Sequence, residues 1–122
     1  MKVQDPGHSY SLNLLDCRHD GHIETLTFVK RTGANYPGND RAYCGTTMQE
    51  VLRCVADRLL YVQAQKPHKD NVAALDDIKE AIWHLECRAA ERHNRPRPGF
   101  EEATYGECCP KCLHVGCTGG CH

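Results

Sequence analysis

The sequence predicts an α+β protein in which an N-terminal β-hairpin packs on a two-helix antiparallel hairpin and a cysteine-rich tail follows. Three observations predict this fold: apolar and polar residues alternate near the N-terminus, the middle of the chain has helical periodicity, and five of the nine cysteines lie within the last seventeen residues. The expected boundaries are residues 1–46 for the β-hairpin and a loop, 47–95 for the helical hairpin, 96–107 for a linker and 108–122 for the cysteine-rich, metal-binding tail.

The predicted β-hairpin consists of two short alternating segments. YSLNLL at residues 10–15 and IETLTFVK at residues 23–30 alternate apolar and polar side chains, as a strand with two different faces does. Asp20-Gly21 between them favours a hairpin turn, because glycine tolerates a positive φ. A two-stranded hairpin is marginally stable in water, so we expect it to pack on the helices. Residues 31–45 are rich in glycine and asparagine and are expected to form a long loop.

The predicted helical hairpin begins at Thr47, which opens the capping sequence TMQE. Pro67 ends the first helix, and Asp70 or Asn71 is expected to cap the second. Apolar residues recur every three or four positions in both helices, so each helix presents one apolar seam to the other. The two seams are Met48, Leu52, Val55, Leu59 and Val62 in the first helix, and Leu75, Ile78, Ile82, Leu85 and Ala89 in the second.

The composition argues against several classes of protein. A formal net charge of −1 and a pI near 6.7 give no overall attraction to nucleic acid. No apolar run approaches the roughly 18 residues that a membrane helix needs, and the first ten residues lack the apolar core of a secretory signal. We therefore expect a cytoplasmic protein with no membrane partner. Apolar side chains that fall off the seams, such as Leu60 and Trp83, favour a homo-oligomer over a monomer.

The C-terminal tail has the residue types and the spacing of a metal site. A CxxC pair and a CxxxC pair lie within thirteen residues, and four thiolates suit the tetrahedral coordination of Zn²⁺. The predicted ligands of a structural zinc ion are Cys109, Cys112, Cys117 and Cys121. His114 and His122 are substitute ligands, and Cys108 is left over. The alternative is a disordered end of the chain with incidental thiols.

A second candidate site lies at the end of the second helix. Arg88, Arg92 and Arg95 are spaced by four and then three residues, which places them on one helical face. Guanidinium groups bind phosphate oxygens with paired hydrogen bonds, so this face is a candidate phosphate-binding surface. The alternative is that these cations only interact with the helix dipole. Since no combination of nucleophile, base and open metal site is present, we expect no enzymatic activity.

Three segments of the chain resemble a group of small bacteriophage proteins. They are LTFVKR, TTMQEVLRCVADRLLYVQ and DNVAALDDIKEAIWHLECRAAERHNR, and the match covers about residues 23–95. They are similar to the short β segment and helical hairpin of phage immune-evasion sponges, the anti-CBASS and anti-Thoeris proteins. Those proteins bind cyclic oligonucleotides or cyclic ADP-ribose derivatives and withhold them from bacterial defence effectors. In them the second helix runs into an Arg-Gly-rich tail, whereas this chain continues as RPRPGF and then the cysteines.

The resemblance implies a non-enzymatic sponge in the host bacterial cytosol, assembled as an oligomer, often a hexamer, with cyclic nucleotides bound between subunits. Cations would bind the phosphates of such a ligand and aromatic rings would stack on its bases. The expected ligand-binding residues are Lys30, Arg31, Tyr36, Arg41, Tyr43, Arg58, Arg88, Arg92 and Arg95. The alternative function is a zinc-containing phage regulatory module that binds a host protein or nucleic acid. Nucleic acid is the weaker of these partners, because the tail carries few cations.

Overall fold

The N-terminal part of the chain forms a three-stranded antiparallel sheet. The computed structural model describes residues 1–15, 24–31 and 42–117 and places strands β1 (Lys2–Asp5), β2 (Ser9–Leu12) and β3 (Glu24–Thr27) side by side in that order. β2 pairs with β3, with Tyr10 opposite Leu26, which confirms the predicted strand pairing. The predicted turn at Asp20-Gly21 lies outside the described residues. The sequence did not predict β1. All four of its residues are exposed, so it has no buried face that an alternating pattern could indicate.

A short irregular segment joins this sheet to the helices. Two short strands, β4 and β5, pair antiparallel just before the first helix and comprise Lys30–Arg31 and Ala42–Tyr43. Next to them, Phe28 and Thr46 form a parallel bridge, and the N–H of Val29 donates to the carbonyl of Thr46 at 2.8 Å. The two backbones meet at Gly45, where an added Cβ would lie only 2.4 Å from the carbonyl carbon of Phe28. Glycine therefore permits this close approach.

The helical hairpin consists of α1 (Met48–Gln65) and α2 (Lys69–Arg92), which pack along each other as predicted. The hydroxyl of Thr47 accepts a hydrogen bond from the N–H of Glu50 at 3.2 Å, so the predicted cap of α1 is confirmed. The predicted cap of α2 was wrong. His68 occupies the N-cap position, and its Nδ1 accepts from the N–H of Asp70 at 3.0 Å. The imidazole of His68 thus caps α2, where the sequence predicted the side chain of Asp70 or Asn71.

A third helix, α3 (Phe100–Tyr105), lies inside the segment that was expected to be a linker. It packs against α2: the indole N–H of Trp83 donates to the carbonyl of Pro98 at 3.0 Å, and the Lys79 ammonium donates to the hydroxyl of Tyr105. The sequence signal for α3 is weak, because a six-residue helix is too short to show a periodic pattern.

The core lies at the C-terminal half of α2, where α3 and the cysteine-rich segment pack on it. The buried apolar side chains are Ile82, Cys87, Ala89 and Ala90 of α2, Ala103 of α3, and Cys112 and Val115. Cys54 of α1, by contrast with Cys87, is exposed. The other half of the hairpin keeps large apolar side chains in solvent. Of the helices in the described ranges, none is long and apolar enough to cross a membrane.

Candidate metal centre and ligand cleft

The cysteine turn, residues 108–117, brings three sulfur atoms together. The ligand atoms of Cys109, Cys112 and Cys117 all lie within 4.8 Å of one another. The turn is closed by the N–H of Leu113, which donates to the carbonyl of Cys109 at 2.7 Å, and Leu113 takes the left-handed φ of 61°. Three of the four predicted zinc ligands therefore form a group that can bind a metal ion.

The remaining residues proposed for this metal site have different positions. Cys121 and His122 lie outside the described residues. His114 is not part of the three-cysteine group, and its ring contacts the helices instead. Cys108 is not part of the group either. Its backbone bridges to Val115, and burial raises the pKa of its thiol. Cys108 is therefore the left-over cysteine that the spacing predicted.

A buried carboxylate links the cysteine turn to all three helices. Glu86 of α2 is 1% exposed. Its Oε1 accepts from Nη2 of Arg53 at 2.9 Å, and its Oε2 accepts from the N–H of Val115 at 3.2 Å. Oε2 also lies 3.5 Å from Nδ1 of His114. The same Arg53 nitrogen donates to the carbonyl of Ala103 at 3.2 Å. One carboxylate thus joins α1, α2 and the turn directly, and α3 through Arg53.

Glu86 is ionised in this environment. Burial by itself raises the pKa of a carboxyl group, because it disfavours the charged form. Hydrogen bonds with His114 and Arg53, together with their positive charge, outweigh burial here and hold the pKa of Glu86 below its ordinary value of 4.5. The network therefore depends on a negative charge that is buried and paired.

A cleft of about 510 Å³, called here the large cleft, lies between the sheet and the C-terminal half of α2. Tyr10 and Phe28 line its sheet side, with their ring centroids 5.9 Å apart in an edge-to-face arrangement. Arg88 and Arg92 line its helix side. The cleft thus combines two aromatic rings with two guanidinium groups.

Two histidines and a glutamine add hydrogen-bonding groups to this cleft. His8, Gln49 and His114 line it. Nδ1 of His8 and Nε2 of His114 are buried, and neither has a hydrogen-bond partner among the described residues. Nδ1 of His114 lies 3.1 Å from Nε2 of Gln49. Since a buried polar atom without a partner costs free energy, these two nitrogens favour a ligand that can bond to them.

The arginine face predicted from spacing is only partly present. Arg88 and Arg92 both line the large cleft. Arg95 does not share their face, because α2 ends at Arg92 and Asn94 turns the chain with a left-handed φ of 54°. Arg95 lines a separate cavity of about 160 Å³ beside Pro96 and Gly116. The prediction for Arg95 was wrong because it required α2 to continue as far as Pro96, whereas the helix ends at Arg92.

The other predicted ligand-binding residues that the structure describes, Lys30, Tyr43 and Arg58, line neither of these two cavities. The ammonium of Lys30 lies 3.7 Å from the carboxylate of Asp5. Tyr43 is exposed on β5, and Arg58 lies over the ring of Tyr61 at 5.1 Å on α1. The Arg31 side chain and two further residues, Tyr36 and Arg41, lie outside what the structure describes.

Sequence reasoning missed most of the polar residues of the site. One sequence pattern does indicate that Glu86 is buried. Ile82 and Ala90 lie four residues before and after it, so Glu86 falls on the apolar face of α2. Gln49 and Arg53 lie four residues apart on α1; Arg53 donates to this carboxylate, and Gln49 contacts His114. His8 gives no signal, because its position in the cleft depends on the sheet packing against the helices.

The fold and the site together define a small α+β protein with a three-cysteine turn packed beside a cationic, aromatic cleft. Comparison of the chain with protein-family models, with curated proteins and with solved structures gives no match.

Proposed function

We propose that this protein is a phage immune-evasion protein that binds cyclic nucleotide second messengers in the large cleft and sequesters them without chemical conversion. The observation that supports this most is that Arg88 and Arg92 share the cleft with two aromatic rings. Guanidinium groups match the oxygens of a phosphodiester, and aromatic side chains pack on bases. The ligand would be a cyclic oligonucleotide or a cyclic ADP-ribose derivative held in the host cytosol.

A sequestering protein needs affinity and no reactive group. His84, the histidine of α2, is exposed to solvent and lies 3.8 Å from Glu80, away from the buried Glu86. Binding at the cleft would come from phosphate contacts with the arginines and from hydrogen bonds with His8 and His114. In an oligomer, a second subunit would cover the open side of the cleft, so that ligands lie between subunits.

The metal that we propose for the cysteine turn is a structural zinc ion. Zinc–sulfur bonds of about 2.3 Å in a tetrahedron place sulfur atoms about 3.8 Å apart. The three thiols already lie within 4.8 Å of one another, so small side-chain rotations would seat the ion. Cys121 is the proposed fourth ligand. All-thiolate coordination with no open position fits a structural role.

Isothermal titration calorimetry tests this function directly. The purified zinc-loaded protein is titrated with cyclic di-AMP, cyclic tri-AMP and cyclic ADP-ribose, and with linear AMP as a comparison. We expect at least one cyclic nucleotide to bind more tightly than AMP. Mass spectrometry of the bound nucleotide after release should return it unchanged, because sequestration breaks no bond. Failure of every cyclic nucleotide to bind would leave the zinc-containing interaction module as the better function.

Charge reversal in the cleft tests where the nucleotide binds. Arg88→Glu and Arg92→Glu should each weaken binding at least tenfold, because each replaces a phosphate partner with a like charge. Lys69→Glu is the matched control: it reverses a charge on the same helix, about 28 Å from Arg88 at 1.5 Å per residue. Circular dichroism should show equal helix content in all three variants. Wild-type affinity in both arginine variants would show that the large cleft is not the site.

A further inference from the structure

We infer that metal binding at the cysteine turn and ligand binding in the large cleft are coupled through His114, so that the metal-bound protein is the ligand-binding form. This inference rests on the proposed function of the cleft and adds its regulation. It makes His114 a ligand-binding residue whose position is set by the metal site next to it.

The backbone of His114 belongs to the cysteine turn. His114 lies between two of the clustered cysteines, Cys112 and Cys117. Its carbonyl accepts a hydrogen bond from the N–H of Cys109 at 3.0 Å. The position of the His114 backbone is therefore determined by the same residues that would bind the metal. Metal bonds to Cys112 and Cys117 would therefore restrain this backbone from both sides.

The ring of His114 belongs to the cleft. It is 3% exposed, and its Nδ1 is placed by Gln49 at 3.1 Å and by Glu86 at 3.5 Å. Gln49 itself lines the cleft. Nε2 has no partner among the described residues, so it is the atom of this ring that remains for a ligand. A bound phosphodiester oxygen or ribose hydroxyl would supply the hydrogen bond that Nε2 lacks.

A bound metal would stabilise a turn that contains a residue in an unfavourable backbone conformation. Leu113, directly before His114, has a left-handed φ of 61°, which a side chain with a Cβ rarely adopts. Bonds from three thiolates to one ion would hold this conformation, and their loss lets the turn relax. Binding of either ligand to the ordered form must then favour the other, and by the same factor, because coupling between two sites is reciprocal.

The first experiment uses zinc alone, so it does not depend on the nucleotide. Protein stripped with a chelator in the presence of a phosphine reductant is compared with protein reloaded with one equivalent of Zn²⁺. We expect zinc to shift the imidazole NMR signals of His114 and to slow hydrogen exchange of the Val115 amide, which donates to Glu86, at least tenfold. The imidazole of exposed His84 is the internal control and should not change. Unchanged His114 signals in zinc-loaded protein would overturn the coupling.

The second experiment measures the effect of zinc on the cleft, with cyclic di-AMP as the probe. We expect the dissociation constant to be at least tenfold lower for the zinc-loaded protein than for the stripped protein. We also expect cyclic di-AMP to raise zinc affinity by that factor in competition with a chelator. Equal binding by both forms overturns the coupling and leaves the proposed function in place. No binding by either form overturns the proposed function, and the zinc-only experiment then still decides whether His114 responds to the metal.

A substitution at His114 separates its role from general stability. His114→Phe keeps a flat ring in the buried position and removes both nitrogens. We expect this variant to bind zinc through its cysteines and to retain weak cyclic di-AMP binding through Arg88 and Arg92, with no effect of zinc on that binding. If zinc still strengthens binding tenfold in His114→Phe, the coupling does not pass through this residue. Should the variant fail to fold, His114→Gln provides the same comparison with a hydrogen-bonding side chain.

Discussion

At the scale of single residues, Glu86 has the largest expected effect on stability. It is almost completely buried, and its charge is balanced by Arg53 and by a backbone N–H of the cysteine turn. Removing one member of a buried ion pair leaves the other charge buried without compensation, which costs far more than the loss of an exposed pair. The stability of the protein should therefore depend on this one carboxylate.

We predict that Glu86→Gln lowers the free energy of unfolding by about 3 kcal/mol. The substitution keeps the size of the side chain but leaves the charge of Arg53 uncompensated. Urea unfolding of zinc-loaded protein, followed by circular dichroism, measures the change. Glu80→Gln on the same helix removes an exposed partner of His84 and should cost less than about 0.5 kcal/mol. Equal stability of the two variants would show that the buried pair contributes nothing.

The lowered pKa of Glu86 predicts how stability changes with pH. The unfolded chain binds a proton at this carboxyl near its ordinary value of 4.5, whereas the folded chain binds it only at lower pH. The stabilisation from Glu86 is therefore fully present above pH 4.5 and is lost as the pH falls through the folded-state pKa. Unfolding at several pH values should show a steeper loss for wild type than for Glu86→Gln in this range. Parallel curves would contradict the assignment.

At the scale of elements, the sequence predicted the features that depend on residues close together in the chain. The Thr47 cap and the pairing of α1 with α2 were predicted, because a cap and an apolar period are properties of adjacent residues. Met48 and Val55, however, were predicted to face α2 and are exposed. The end of α2, the helix α3 and the N-cap role of His68 were not predicted. Helix α3 depends on contacts between distant segments, such as the packing of Trp83 on residues 98–100. The His68 cap is instead a local bond to the N–H of Asp70 that the sequence pattern did not indicate. Arg95 was assigned to the wrong surface because α2 ends at Arg92.

The junction between the sheet and α1 depends on a glycine. We predict that Gly45→Ala lowers the melting temperature by at least 5 °C, because the new Cβ would clash with the Phe28 backbone and force β3 away from α1. Gly99→Ala is the control, since no atom lies within 4 Å of the position of its Cβ. Differential scanning fluorimetry compares the two variants. A melting temperature of Gly45→Ala equal to that of Gly99→Ala would show that the junction can adjust.

At the scale of the whole molecule, the cysteine-rich segment is part of the core and not an appendage. Cys112, His114 and Val115 are all buried against the helices. The sequence predicted the grouping of its three cysteines Cys109, Cys112 and Cys117, because CxxC and CxxxC spacings are local. It did not predict the docking of this segment on Glu86, because that contact joins residues almost thirty positions apart. The cysteine turn and the large cleft are therefore adjacent, since His114 belongs to the turn and lines the cleft. The sequence had predicted the metal site and the arginine face as independent sites.

The part of the hairpin away from the sheet and the cysteine turn keeps several apolar side chains in solvent. Leu60, Tyr61 and Val72 are each about half exposed there. Apolar surface of this kind is stabilised when another copy of the chain covers it. We predict that the wild-type protein is a homo-oligomer at micromolar concentration and that Leu60→Glu shifts it toward monomer, because a carboxylate cannot be buried in an apolar contact without cost.

Native mass spectrometry and light scattering measure this assembly state. Circular dichroism should show unchanged helix content in Leu60→Glu, because this side chain is exposed within one chain and its replacement removes little packing. Lys69→Glu introduces the same carboxylate at an already charged position of the hairpin and should leave the assembly intact. A wild-type protein that remains monomeric at 100-fold higher concentration would contradict the prediction, since the apolar side chains would then be tolerated in solvent. The cleft would in that case have to bind its ligand without a second subunit.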